Sequence, residues 1–199
     1  SEEHPMQLYF NDFDENGQTE TVTAMEKDGD YYPLETWDGL ASQMVYLKKK
    51  YTSYKAFAGQ TMEEIFGEEV LNASQKLEVT TLKSGYLRND NGKFTFVPFT
   101  NQLQVSPIMS FLVEDFDGDG MTEVLIAGNY FGVKPYHGRM DSFPGALLKD
   151  ENTIVLGNEL GLDFTKKSVR HLNTITINNQ KYLLAIFNND KAQVYKIND

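Results

Sequence analysis

Hydrophobic and polar positions alternate along much of this chain, which predicts short β-strands. Gly, Asn and Asp residues between the alternating runs predict tight turns at 28–30, 89–92 and 178–179. From 131 to 150, Gly, Pro and aromatic residues mix without a period, which predicts an irregular but structured loop. The predicted strands are 7–10, 21–25, 79–86, 93–97, 108–113, 124–127, 172–177, 182–187 and 192–197. The pattern therefore predicts a mainly β protein that ends in a meander of strands.

The pattern changes between about 34 and 75, where apolar residues recur at helical spacing. Asp38 is placed to cap a helix whose apolar positions are separated by four and three residues. Those positions are Leu40, Met44 and Leu47. Thr61 and Glu64 have the spacing of a capping box ahead of a further apolar pair. We expect several short helices here, inserted between strands.

The chain contains an internal repeat. Adding 103 to a residue number superposes the segment 12–24 on the segment 115–127, with matching Asp, Phe, Gly, Thr, Glu and Ala positions. A shift of 58 superposes 125–127 on 183–185, without acidic residues nearby. The two shifts differ by 45 residues, which is close to the length of the helical stretch. A repeat unit of about 58 residues, with the helices inserted into its first copy, therefore explains both shifts. Repeats of this size built from strand meanders favour propeller blades.

We therefore predict one repeat domain over 1–199, a partial β-propeller-like array of about three antiparallel blades. The predicted boundaries are blade one at about 1–33 plus 76–107, the helical insertion at about 34–75, blade two at about 108–165 and a degenerate blade three at about 166–199. A closed propeller needs four to eight blades, so we expect an open array or the C-terminal part of a longer parent chain. The absence of an initial Met agrees with the second expectation. Further blades of such a parent are then expected partners for an exposed strand edge or blade face.

Two acidic loops interrupt the predicted strands at matching points of the repeat. In the second, carboxylates stand at relative positions 1, 3, 5 and 9, and Gly120 at position 6 permits a sharp turn. Calcium takes six to eight oxygen ligands, which alternate side chains and a carbonyl at position 7 can supply. The predicted ligands of two calcium ions are Asp12, Asp14, Asn16, the Gln18 carbonyl and Glu20 in loop one, and Asp115, Asp117, Asp119, the Met121 carbonyl and Glu123 in loop two.

Two alternatives compete with this assignment. An EF-hand shares the first six positions, but it needs a Glu at position 12, where these loops have Thr23 and Ile126 between β-like flanks. A metal-free acidic turn is the other alternative, and the repetition of one plan in two loops counts against it.

The charge and the amino-acid composition of the chain disfavour some classes of binding partner and exclude some kinds of site. A formal net charge of −11 repels nucleic acid and anionic membranes and leaves cations as the natural counter-charge, although acidity also serves solubility alone. The absence of Cys excludes disulfides, thiolate catalysis and zinc–sulfur sites. No apolar run approaches the roughly 18 to 20 residues of a membrane-spanning helix, so no transmembrane segment is expected.

The second loop, Asp-Phe-Asp-Gly-Asp-Gly-x-x-Glu between strands, resembles the calcium loop of FG-GAP/VCBS repeats in integrin-like β-propellers. The segments 45–51, 65–67 and 127–135 extend the resemblance over nearly the whole chain, to the C-terminal part of Bacteroidetes-type FG-GAP/VCBS–ASPIC/UnbV surface proteins. Loop one departs from the pattern at Asn16, and at Glu15 where loop two has Gly118. The resemblance implies an exported, extracellular or cell-surface protein.

Outside the loops, the chain shows no nucleophile elbow, phosphate loop or dinucleotide fingerprint, and no pair of histidines with metal-ligand spacing. A ligand loop is a further candidate, because its aromatic rings could stack on sugars, although core packing and paired charges explain the same residues. Its candidate residues are Tyr130, Tyr136, Arg139 and Asp141.

Two functions follow. The first is a calcium-binding extracellular module that binds or scaffolds a protein or glycan. The second is a glycan-acting enzyme, or a domain of one, with acids and Arg139 in a cleft. Nearly all well-organised acids are assigned to the two loops, which favours the module without catalytic residues.

Overall fold

The structure is a computed structural model that describes residues 1–150 and 153–197. Strands hold 39% of the residues and helices 18%, so the fold is mainly β, as predicted. The chain forms two compact units, Ser1–Leu82 and Lys83–Asp199, each with antiparallel sheets of its own. None of the sheets formed by the described residues closes on itself, so the number of blades and the propeller arrangement stay predictions.

In the first unit, a four-stranded antiparallel sheet has the order β3-β2-β1-β4. Its strands are β1 (Met6–Asn11), β2 (Glu20–Lys27), β3 (Asp30–Pro33) and β4 (Gln75–Val79). The chain between β3 and β4 forms the helices, all inside the predicted range. They are α1 (Trp37–Gln43), α2 (Leu47–Lys50), α3 (Tyr54–Phe57), α4 (Met62–Phe66) and α5 (Glu68–Ala73).

The helices pack on one face of this sheet. Tyr9, Val22 and Ala24 alternate along β1 and β2 and are buried with the apolar residues of the helices. Those helical residues are Leu40, Ala41, Met44, Leu47, Phe57, Met62, Ile65 and Phe66. The apolar positions whose spacing predicted helices thus form the buried face of these helices.

The capping predictions for the helices are confirmed at one end and wrong at another. Thr61 Oγ1 accepts a hydrogen bond from the Glu64 amide and Glu64 Oε2 accepts one from the Thr61 amide, which completes the capping box of α4. Asp38, however, lies within the first turn of α1 and does not cap it, because the helix already begins at Trp37 after an extended Thr36. The apolar positions 40–47 also belong to two helices, because α1 ends at Gln43 and α2 begins at Leu47.

The second unit contains a hairpin and two larger antiparallel sheets. The hairpin pairs β5 (Gly85–Asp90) with β6 (Lys93–Pro98), so the predicted strand 79–86 is in fact divided between β4 and β5. A four-stranded meander consists of β7 (Ile108–Glu114), β8 (Glu123–Gly128), β9 (Ala146–Leu148) and β10 (Ile154–Leu156). A three-stranded meander consists of β11 (Val169–Ile177), β12 (Gln180–Phe187) and β13 (Gln193–Lys196). The predicted C-terminal meander is confirmed, whereas the predicted loop 131–150 also contains β9.

The two meanders pack face to face. Leu125 and Ala127 of β8 share a buried cluster with Leu183 and Ala185 of β12, so two of the three residue pairs that match at a shift of 58 have the same burial. Phe164 lies fully buried in the same cluster. Where β11 runs beside β7, Ser110 Oγ accepts a hydrogen bond from the Leu172 amide at 3.0 Å.

Among the residues that the structure describes, no helix has the length and apolar character needed to cross a bilayer.

Candidate metal sites

The two acidic loops occupy equivalent places in the two units. Loop one connects β1 to β2 and follows the strand pair Asn11–Glu20. Loop two connects β7 to β8 and follows the pair Glu114–Glu123. In both cases the last residue of the loop is the first residue of the returning strand, so the sheet fixes the closing glutamate.

The first aspartate of each loop shapes the turn. Asp12 accepts hydrogen bonds from the amides of Asn16 at 2.9 Å and Gly17 at 2.8 Å, one on each carboxylate oxygen. Asp115 accepts from the amides of Gly118 at 2.7 Å and Gly120 at 3.0 Å in the same manner. These side-chain to backbone hydrogen bonds hold each loop in a tight turn without a metal ion.

The backbone of both loops enters the left-handed region at the same two positions. At position 6, Gly17 has φ +86° and Gly120 has φ +88°, a conformation that favours glycine. At position 4, Gly118 has φ +76° but loop one places Glu15 there, at φ +56°. The departure of loop one from the repeat pattern is therefore also a site of backbone strain.

The closing glutamates are buried and held by the loop backbone. Glu20 is 6% exposed and its Oε2 accepts a hydrogen bond from the Phe13 amide at 3.0 Å. Glu123 is 3% exposed and its Oε2 accepts from the Phe116 amide at 2.8 Å. In loop one the Phe13 ring also packs on Phe66 at 4.6 Å between centroids, so the helices help to anchor the turn.

These constraints bring three carboxylates together in each loop. Oxygens of Asp12, Asp14 and Glu20 lie within 4.8 Å of one another, and so do oxygens of Asp115, Asp117 and Glu123. Both groups can hold a metal ion. Like charges at this separation repel, and a bound cation relieves the repulsion.

Loop one contains a buried carboxylate oxygen that a cation could coordinate. Asp14 Oδ1 is buried and has no hydrogen-bond partner among the described residues. A buried carboxylate oxygen without a partner costs free energy, which coordination by a cation would recover. Every side-chain donor of the two groups is oxygen, the ligand that hard divalent cations prefer.

The predicted ligands at position 5 of each loop, Asn16 and Asp119, are exposed. Asn16 Oδ1 accepts from the Gln18 amide at 2.8 Å, and Asp119 Oδ1 accepts from the Met121 amide at 2.7 Å. The two position-5 side chains thus play one role, and the replacement of an acid by Asn16 leaves the turn intact. Asp119 lies outside the convergent group of three acids in loop two.

Lys149, which the sequence analysis did not select, contacts loop two. Its ammonium nitrogen lies 2.9 Å from Asp117 Oδ2. This hydrogen bond holds the pKa of Asp117 below its usual value and raises the pKa of Lys149. The contact depends on the pairing of β8 with β9, which no local pattern around Lys149 indicates.

Loop one has a neutral neighbour instead. Burial, reinforced by the negative charge of Asp14, raises the pKa of Tyr46 to about 12, so the phenol stays protonated at neutral pH. The ion pairs formed by the described residues do not include Asp12, Asp14 or Glu20. The two loops therefore share a geometry but differ in the charge beside them.

The candidate ligand loop is ordered by charge–ring contacts. Tyr130 pairs with Met140 as an isolated antiparallel bridge and is 37% exposed, and Tyr136 is 52% exposed. The Arg139 guanidinium lies 3.9 Å from the centroid of the Phe131 ring and 3.7 Å from Asp141 Oδ2. The structure thus gathers Arg139 and Asp141 and leaves two tyrosine rings partly open to solvent.

A buried asparagine, also missed from the sequence, anchors this loop. Asn129 is fully buried, and its side-chain amide donates to the backbone carbonyls of Phe143, Phe164 and Lys167 at 2.9 to 3.1 Å. Its Oδ1 accepts from the Phe143 amide at 3.0 Å. Asn129 therefore ties the irregular segment to the chain that leads into β11.

Comparison of the chain with protein-family models, with curated proteins and with solved structures found no match.

Proposed function

We propose that this chain is a calcium-binding module of the FG-GAP/VCBS repeat class, with one ion in each acidic loop. The observation that carries the proposal is the repetition of one loop geometry in two units. In each loop the first aspartate binds two amides, the closing glutamate binds the amide of the phenylalanine, and three carboxylates converge within 4.8 Å. Such convergence of like charges in both copies is explained by a cation in each.

Calcium fits these loops better than smaller or softer cations. The convergent side chains offer oxygen alone, whereas zinc and copper sites recruit His or Cys. The ligands come from a nine-residue loop that leaves further positions to carbonyls and water, which suits the six to eight ligands of calcium. Magnesium demands a near-ideal octahedron and retains several waters.

We further propose that the module works outside a bacterial cell and presents a binding surface to a protein or a glycan. Support comes from the resemblance of loop two to extracellular repeats and from the acidic composition of the chain, whose formal net charge is −11. The partly exposed rings of Tyr130 and Tyr136, and Arg139 in the same loop, offer the aromatic and cationic groups that sugar or peptide ligands contact.

Calcium binding is tested on the full chain by competition with a chromophoric calcium chelator. The unaltered protein should bind two ions, with dissociation constants of about 10⁻⁴ to 10⁻³ M as in extracellular modules. Asp14→Asn and Asp117→Asn should each remove or strongly weaken one site. Asp90→Asn, which alters an exposed acid of the β5–β6 hairpin, is the control and should bind like the unaltered protein. If the double variant Asp14→Asn/Asp117→Asn binds as much calcium as the unaltered chain, the proposal is wrong.

A further inference from the structure

Loop two already has a cationic side chain beside it. Lys149 Nζ lies 2.9 Å from Asp117 Oδ2, and Asp117 is one of the three carboxylates that converge in this loop. Both side chains are 42% exposed, so the pair lies at the mouth of the loop and not beneath it.

The sheet is what places Lys149 there. Strand β9 ends at Leu148, whose register partner is Val124, the residue directly after the closing Glu123. The next residue of the chain therefore lies alongside the point where loop two rejoins its sheet. In the first unit, the corresponding strand β3 ends at Pro33, whose register partner is Ala24, four residues after the closing Glu20. The residue after β3 therefore does not lie beside loop one in this way.

We infer that Lys149 competes with the metal ion at loop two, so that the two loops differ in calcium affinity and loop one fills first. The inference rests on the proposed function and specifies how that function is tuned. By the number of predicted carboxylate ligands alone the order would be the opposite, because loop two has four and loop one has three, with Asn16 at position 5 and Glu15 outside the predicted ligand positions. The positive charge of Lys149 offsets the negative charge of one loop-two carboxylate, that of Asp117. In loop one, by contrast, Asp14 Oδ1 has no hydrogen-bond partner among the described residues.

The competition is electrostatic. Calcium lies about 2.4 Å from its oxygen ligands, so an ion bound to Asp117 would stand within a few ångströms of the Lys149 ammonium. Either the Lys149 ammonium moves away when the ion binds, or the ion binds in spite of electrostatic repulsion from the ammonium. In water-exposed surroundings the repulsion between a divalent and a monovalent cation at such a distance corresponds to a loss of about tenfold in affinity.

The experiment isolates each loop in the full chain. In the Asp14→Asn background, chelator competition reports loop two, and in the Asp117→Asn background it reports loop one. Lys149→Met keeps the length of the side chain and removes its charge. We expect Lys149→Met to tighten calcium binding about tenfold in the Asp14→Asn background and to leave it unchanged in the Asp117→Asn background. Because the pair is exposed, the gain should shrink as the salt concentration rises.

The controls separate this inference from the proposed function. Lys76→Met removes the same charge from an exposed ion pair with Glu78 in the first unit and should not alter the affinity of loop two. Lys149→Arg keeps the charge and should bind like lysine. If Asp14→Asn binds calcium with equal affinity whether residue 149 is lysine or methionine, Lys149 does not compete and the inference is wrong, although calcium binding stands. If neither the unaltered chain nor any of the variants binds calcium, the proposed function itself is wrong.

Discussion

Glu15 and Gly118 occupy the same position of the two loops and the same left-handed conformation, at φ +56° and +76°. For a residue with a Cβ this conformation costs roughly 1 to 2 kcal/mol relative to the right-handed region, and Asn tolerates it better than Glu. A Cβ at Gly118 would meet no atom within 4 Å, so nothing but the backbone preference distinguishes the two positions. Loop one therefore carries strain that loop two avoids.

Relief of this strain predicts that Glu15→Asn raises the free energy of unfolding of the calcium-free protein by up to about 1 kcal/mol. Glu15→Gln is the matched control, because it removes the same charge without favouring the left-handed region, and should have a smaller effect. Gly118→Ala should have the opposite sign and destabilise the protein by about 1 kcal/mol. Urea unfolding in chelator measures all three. Equal effects of Asn and Gln at position 15 would show that charge, not backbone strain, is responsible.

The convergence of acidic side chains in each loop was predictable from the sequence because it is local. Asp12, Asp14 and Glu20 fall within one tight loop, so their spacing alone places their oxygens near one another. Lys149 and Asn129 were not predictable, because each acts on residues distant in the chain. Lys149 lies 32 positions from Asp117, and Asn129 binds carbonyls 14 to 38 positions away.

The strands and helices follow local patterns to different degrees. The C-terminal meander has clear alternation with an Asn178–Asn179 turn, in which both residues have positive φ, and its three strands form as predicted. Strand β9 has three residues in a segment rich in Gly and Pro, too short for an alternation to be recognised. Its existence depends on pairing with β8, and Asn129 at the end of β8 orders the intervening segment.

The Asn129 interactions predict a large and specific loss of stability. Asn129→Ala removes the partner of two buried carbonyls, one partly buried carbonyl and one buried amide, so we expect a loss of about 2 to 4 kcal/mol. Asn129→Asp should destabilise at least as strongly, since a carboxylate cannot donate to those carbonyls. Part of the alanine effect is backbone strain, because Asn129 has φ +75°.

Asn91→Ala separates the two contributions. Asn91 also has positive φ, +54°, but lies exposed in the β5–β6 turn, so its replacement measures the backbone cost alone, about 1 kcal/mol. Urea unfolding followed by Tyr fluorescence and circular dichroism provides the comparison. Equal losses for Asn129→Ala and Asn91→Ala would mean that the buried hydrogen bonds contribute nothing.

The chain as a whole repeats one loop in two compact units that differ in everything around it. In the first unit, helices cover the sheet that carries loop one, and Phe66 of α4 packs on the loop's own Phe13. In the second unit, a second meander covers the sheet that carries loop two. How many sheets assemble, and whether they form a ring, depends on contacts between sheets that neither strand alternation nor loop spacing encodes, which is why the blade count stays a prediction.

Because the observed contacts of each loop stay within its own unit, calcium should stabilise the two units separately. A ligand that binds the folded form at 100 times its dissociation constant adds about 2.7 kcal/mol to stability. We therefore expect calcium to slow amide hydrogen exchange both in β1–β2 and in β7–β8, and a chelator to reverse both effects. Asp14→Asn should abolish the calcium effect in β1–β2 and preserve it in β7–β8, and Asp117→Asn should do the reverse. Mass spectrometry of peptides from 6–27 and 108–128 resolves the two responses. Loss of protection in both segments from either single substitution would contradict separate stabilisation and show that one ion supports both units.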